Sequence, residues 1–216
     1  MATANGARAV PCATAMTLTP ALHMTTTRPD AERNAGTGIA GIVLAGGLSS
    51  RMGCDKSQLR WQGRPLLSHM QALLLDAGAD PVRISGNHPA LGGIPDMVPR
   101  CGPLGGLHSV LTSLADGPAW VVPVDMPYLD GQLLWQLRSA GRSACAVFAG
   151  YPLPMLLPVN HTSRALLAAM VSDPHGPRSL HSLQRRLGVV ELPLPEAAGN
   201  CLFNCNTPEQ WKELAQ

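Results

Sequence analysis

The run Leu44-Ala45-Gly46-Gly47-Leu48-Ser49-Ser50-Arg51-Met52-Gly53-Cys54-Asp55-Lys56 gathers the residue types that hold phosphate. It leaves a short apolar segment, Ile39-Ala40-Gly41-Ile42-Val43, which predicts a buried parallel strand. Glycines at such an exit let the chain turn sharply and approach a ligand closely. The turn also frees several N–H groups to face an anion. Arg51 and Lys56 add two cations, which suits a polyphosphate; the alternative for both is a solvated loop charge. Ser49 and Ser50 either add hydroxyl donors or serve the turn itself. The chemistry read here is nucleotide handling.

Spacing decides which kind of loop this is. A P-loop has four residues between its glycines and a Lys directly after the second. Here five residues separate Gly47 from Gly53, and two more separate Gly53 from Lys56. The G-x-G-x-x-G order of a dinucleotide fingerprint is also missing. The segment instead resembles the L-A-G-G-x-S-x-R-M-G-x-D-K signature of nucleotidyltransferases that make activated sugars and cofactors. Within them it is most similar to the molybdenum cofactor guanylyltransferases, the MobA family. Gly47 and the pair Asp55-Lys56 favour that branch over the cytidylyl relative, which carries L-A-A-G there. The resemblance implies nucleotide contacts at Leu44, Ala45, Gly46, Gly47 and Lys56, with Arg51 and Lys56 serving catalysis.

Asp125 follows the apolar run Ala119-Trp120-Val121-Val122-Pro123-Val124. A carboxylate closing a buried strand is costly unless something positive meets it. Mg²⁺ is a natural partner, because it takes one or two protein carboxylates together with phosphate oxygens and water. A turn or cap role ahead of Pro127 is the alternative. The sequence V-x-V-D-M-P-Y-L resembles the family's strand-D-x-P-x-L motif, which implies metal and nucleotide binding, and so catalysis, at Asp125. Asp96 precedes Gly102-Pro103-Leu104-Gly105-Gly106, which is similar to the family's G-P-L-A-G element, and the resemblance makes Asp96 a nucleotide contact. Asn87 falls where relatives place a base-contacting Asn, with an Asx turn as the alternative. Phe203-Asn204-Cys205-Asn206-Thr207-Pro208-Glu209 resembles a guanylyltransferase element. It implies a pterin site that uses Asn204 and Asn206, with Arg178 holding an anionic part of that substrate.

The rest of the chain bounds these readings. It has 216 residues, 45 % hydrophobic and only 14 % charged, with a net charge of +2 and scattered basic residues. A nucleic-acid surface needs clustered Lys and Arg, so none is expected. No apolar run is long enough for a membrane span. Six cysteines without CxxC pairing read as reduced thiols of a cytoplasmic protein. Cys54, inside the loop, is the one placed to make the site redox-sensitive. Residues 1–37 lack periodicity and read as a disordered leader, with Met16 and Met24 as later possible starts.

The elements that must position the candidates alternate along 38–216, read as one nucleotidyltransferase domain. Strands are expected at 39–43, 81–85, 119–124, 144–149, 153–159 and 189–192. Helices are expected from Pro65 to about Gly78, at 104–114 and 131–140, near 163–171 and 179–187, and at 208–214. Such alternation predicts a single-domain α/β fold: a Rossmann-like, mostly parallel sheet with helices on both faces. The loop at 45–56, Asn87, the 96–106 loop and Asp125 all follow expected strands. They belong at the carboxyl edge, where such sheets bind ligands.

No Ser-His-Asp or HExxH pattern is present. The function implied is Mg²⁺-dependent transfer of GMP from GTP to molybdenum-molybdopterin, with release of pyrophosphate. The alternatives are a cytidylyl- or sugar-phosphate nucleotidyltransferase, or a non-catalytic GTP-binding partner in cofactor delivery. Molybdoenzyme maturation proteins are the implied protein partners.

Overall fold

The computed structural model describes residues 38–46, 59–206 and 210–211. The leader, the loop residues Gly47, Arg51, Cys54 and Lys56, and most of the expected closing helix lie outside them; Gln210 and Trp211 are helical. All described residues belong to the compact unit Asn34–Gln216.

Strand β1 (Ile39–Leu44) sits between β4 (Ala79–Ser85) and β5 (Gly117–Pro123). Both pairings are parallel. Helix α1 (Leu66–Asp76) connects β1 to β4, and α2 (Pro103–Leu111) connects β4 to β5. These two crossovers step in opposite directions across the sheet. Right-handed connection therefore puts the two helices on opposite faces. Helix α3 (Gly131–Ser139) packs beside α1, and α4 (His161–Ser172) packs beside α2.

The far half of the sheet is mixed. Strand β7 (Met155–Val159) runs antiparallel to both β5 and β6 (Ala146–Phe148), whereas β8 (Val190–Leu192) is parallel to β6. Only residues 149–154 separate β6 from β7, and a parallel crossover needs about a dozen residues. The full order is β4-β1-β5-β7-β6-β8. Helix α5 (Leu180–Arg186) precedes β8. Its buried Gln184 donates to the Pro152 carbonyl (2.7 Å) and steadies the 149–154 loop.

Three local expectations shift. Pro65 is not the first helical residue. It pairs with Arg60 in a small hairpin, β2 (Arg60–Trp61) and β3 (Arg64–Pro65), and the helix starts at Leu66. That hairpin turns through Gln62 and Gly63, both at positive φ, as a two-residue β-turn with right-handed strand twist requires. Helix α4 starts at His161 because Asn160 caps it. The Ser163 N–H donates to Asn160 Oδ1 (2.9 Å), and the Asn160 N–H donates to Ser163 Oγ (3.0 Å). Pro123 is tolerated as the last residue of β5. The Val124 N–H faces β1, so position 123 faces β7, whose pairing stops at Val121.

Arg164 of α4 ties the end of α2 to the sheet. Its guanidinium donates to the Leu111 (3.1 Å) and Leu114 (2.7 Å) carbonyls and meets Asp116 at 2.5 Å. The Leu111 carbonyl is an orphan of the α2 C-terminus and the Leu114 carbonyl lies in the turn after it, whereas Asp116 is mostly exposed, so the bonds to the carbonyls carry the greater weight. Urea unfolding should place Arg164→Ala about 1–3 kcal/mol below the parent. Asp116→Ala should stay within about 1 kcal/mol of it. Equal losses in the two variants would assign the effect to the ion pair instead.

Candidate functional site

The exit of β1 is pinned on both sides. The Ala45 N–H donates to the Ser85 carbonyl (3.0 Å), and the Val124 N–H donates to the Leu44 carbonyl (3.1 Å). Ala45-Gly46, Gly86-Asn87 and Val124-Asp125 therefore leave the sheet as neighbours. A fourth segment joins them because the loop after β4 folds back. Gly86 N–H donates to the Ile94 carbonyl, and Ile94 N–H to the Ile84 carbonyl, each at 2.9 Å. That return brings Asp96 against the β1 exit. The sequence-predicted convergence of these four segments is thus observed for every part of it that is described.

The approach is close enough to dictate residue types. Gly86 has φ +125°, and a Cβ there would lie 2.9 Å from Gly46 N. A Cβ on Gly105 would lie 2.9 Å from the Val98 carbonyl oxygen and 3.2 Å from Asp96 Oδ2. One on Gly106 would overlap the Ser85 hydroxyl. Gly105 and Gly106 of the G-P-L-G-G element thus serve packing: they let the first turn of α2 sit directly against Ser85 and Asp96.

Asp96 Oδ1 is buried and has no hydrogen-bond partner among the described residues. A Cβ built on Gly46 would be 3.6 Å from it. Burial pushes the Asp96 carboxyl above its usual range. An acceptor held without a donor costs about 1–3 kcal/mol, and a ligand N–H in the cleft would recover it.

Asp125 lies two residues beyond the end of β5, in a turn, and is partly buried. The cap of α3 is Asp130, whose Oδ1 accepts from the Gln132 N–H (2.9 Å), so the helix-cap alternative for Asp125 falls away. The Asp125 carbonyl accepts the Cys205 N–H (2.8 Å), and this bond seats the 203–206 segment beside the β5 exit. Asn204 and Asn206 are both exposed there, and the Asn206 N–H donates to Gln210 Oε1 (2.8 Å). On the other side of the turn, His69 of α1 holds Pro127. A carbonyl only accepts, so Nε2 carries the proton in that 3.0 Å bond. Burial holds the His69 pKa below its usual value, against the pull of that bond and with help from nearby Arg64.

Asn87 is exposed, and no described group bonds its side chain, so the Asx-turn alternative is not realised. Arg178 is engaged locally. Its guanidinium donates to the Asp173 carbonyl (2.9 and 3.2 Å) and to the Val171 carbonyl (3.5 Å), closing the end of α4. Sequence reading missed Ser85, Gly86 and His88. His88 Nε2 reaches the Ala45 carbonyl at 3.3 Å. The glycine just after an expected strand was the available signal for Gly86. Cys101 and Cys145 are buried free thiols, and burial pushes Cys145 up to about 12, as a structural cysteine would be.

Comparison with known proteins bears on what this edge belongs to. The family profile described as the MobA-like NTP transferase domain matches residues 41–190. The chain belongs to that family. A molybdenum cofactor guanylyltransferase of Xanthomonas euvesicatoria is 46 % identical over 175 residues, covering 81 % of this chain and 93 % of the relative. A probable molybdenum cofactor guanylyltransferase of Opitutus terrae is 35 % identical, covering 79 % and 92 %. Among solved structures, molybdopterin-guanine dinucleotide biosynthesis protein A of Archaeoglobus fulgidus superimposes with a TM-score of 0.65 at 21 % identity, covering 82 % of this chain and 96 % of that one. The 2-C-methyl-D-erythritol 4-phosphate cytidylyltransferase of Thermus thermophilus gives 0.59 at 15 % identity, covering 82 % and 97 %. These two likenesses establish a fold shared by family members and cytidylyl enzymes.

The raised Asp96 pKa has a signed consequence. As pH rises through the ordinary carboxylate range the unfolded chain ionises first, so folding stability falls until the pH passes the raised folded value. Asp96→Asn cannot ionise. In ligand-free urea unfolding it should exceed the parent in stability near neutral pH and converge with it as the pH drops through the carboxylate range. A parent at least as stable as the variant at pH 7 would contradict the burial argument.

Proposed function

We propose that this chain transfers GMP from GTP to molybdenum-molybdopterin and releases pyrophosphate. The carrying observation is the buried, donor-less Asp96 oxygen at the meeting of the β1 and β4 exits. Guanine presents an N1–H and an N2–H side by side, a donor pair that matches one carboxylate. Cytosine offers a single exocyclic amine. The names carried by the chain's relatives point the same way.

In this reading Asp96 and Asn87 take the base, while Leu44, Ala45, Gly46 and Gly47 carry the backbone past the phosphates. Arg51 and Lys56 neutralise the triphosphate and the departing pyrophosphate. The acceptor is a phosphate monoester, already anionic near neutral pH because its second pKa is about 6. Its oxygen attacks the α-phosphorus, the bond to the bridging oxygen breaks, and pyrophosphate leaves. No side-chain base is needed, so alignment and charge carry the catalysis. Asn204 and Asn206, seated beside Asp125, would face the pterin, with Arg178 at the same edge.

Asp125 fits a substrate-chelated Mg²⁺. It is a hard oxygen donor at the strand exit, and no three or more His, Cys, Asp or Glu among the described residues gather to hold a metal unaided. Mg²⁺ held through one or two carboxylates and phosphate oxygens requires no such cage. When bound, the ion would supply positive charge to the triphosphate. The free thiols among the described residues fit a cytoplasmic setting, and no described helix is long and apolar enough to cross a membrane.

The deciding assay is pyrophosphate release by the full chain with molybdenum-molybdopterin, supplied with one nucleoside triphosphate at a time. GTP should support turnover and CTP should not. Turnover with CTP alone would assign cytidylyl transfer, and GTP binding without turnover would make the chain a carrier. Asp125→Ala should lose about 10²–10³-fold in kcat while remaining folded; near-parent turnover would remove the metal role. Lys56→Ala should weaken GTP in titrations more than it weakens the pterin. The reverse ranking would move Lys56 to the acceptor side.

A further inference from the structure

Asp96 could enter the cleft at many depths unless something fixed the backbone that bears it. The segment is held from one side by Ile94, through its bonds to Ile84 and Gly86. Pro95 has no N–H to offer. On the other side the Met97 N–H donates to Ser109 Oγ at 2.7 Å. Met97's own side chain is 63 % exposed, so packing does not anchor this end.

Ser109 is completely buried in α2. Its hydroxyl also donates to the Gly105 carbonyl at 2.9 Å. A serine bonding back four residues is ordinary helix behaviour. Accepting a bond from outside the helix is not, and that bond joins α2 to the residue next to Asp96. Gly105 is itself the position whose Cβ would press on Asp96 Oδ2. One hydroxyl therefore links the two backbone groups that frame the carboxylate.

We infer that Ser109 is a positioning residue for nucleotide recognition, its hydroxyl setting where the Asp96 carboxylate stands in the cleft. The inference rests on the reading of Asp96 as a base contact. Removing the hydroxyl leaves the Met97 N–H without its partner and frees the 95–97 backbone to shift. The loss falls on nucleotide affinity rather than on the chemical step.

The test is calorimetric titration of GTP into the full chain without acceptor, together with steady-state pyrophosphate release. Ser109→Ala should weaken GTP about five- to tenfold, the scale of one lost buried hydrogen bond, with kcat at saturating GTP within about twofold. Ser109→Thr, which keeps the hydroxyl, should bind GTP more tightly than Ser109→Ala. The double variant Ser109→Ala with Asp96→Asn should bind GTP no worse than Asp96→Asn alone, because Ser109 acts through that carboxylate. Losses that multiply in the double variant would overturn the inference. So would unchanged GTP affinity in Ser109→Ala, whatever its unfolding midpoint. If Asp96→Asn itself left GTP affinity unchanged, the base-contact reading would fall first and this inference with it. An effect of Asp96→Asn without one of Ser109→Ala would sink the positioning role alone.

Discussion

A carboxylate wedged against backbone is the constraint around which this edge is organised. Asp96 stands over Gly46, Gly105 and Gly106, and the Ser85 hydroxyl fills what space remains. At Gly105 and Gly106 a single added carbon would collide with the Val98 carbonyl or the Ser85 hydroxyl, whereas one on Gly46 would already be in van der Waals contact with Asp96. Close packing gives such a cluster no room to relax, so residue types there are fixed jointly rather than one at a time. Desolvation of the carboxyl is the cost of that geometry, and it is the kind of local penalty that binding sites carry.

The sheet serves the same edge from both halves. Parallel β4, β1 and β5 deliver the loops assigned to the nucleotide. Antiparallel β7 brings the 149–154 loop to the same side, where Gln184 holds it. The tail then returns, and one backbone bond from Cys205 to Asp125 sets its asparagines beside that residue. Asp125, at the exit of β5, thus stands between the two halves.

Aromatic contacts tie the hairpin at 60–65 to this arrangement. Trp61 of the small hairpin packs edge-to-face on Tyr128, with ring centroids 4.9 Å apart, and lies 6.1 Å from Trp211. The chain that re-enters the described structure after the loop is therefore clamped three residues beyond Asp125. Edge-to-face pairs of this kind contribute roughly 0.5–1.5 kcal/mol beyond the area they bury.

Apolar runs of strand length and helix-spaced leucines placed β1, β4, β5 and the first helix within a residue or two, and the second helix within three, because burial periodicity is a local property of the chain. The exits of those strands, and with them Ala45, Gly46, Asn87, Asp96 and Asp125, could be assigned to one edge for the same reason. The antiparallel course of β7, the hairpin at 60–65 and the helix-closing bonds of Arg178 could not. Each depends on a partner distant in sequence or on a connection length whose meaning appears only when the strands are in place. Ser85 and Ser109 look like ordinary polar residues in the chain. Only folding, by bringing Gly106 and Met97 against them, gave their hydroxyls a function.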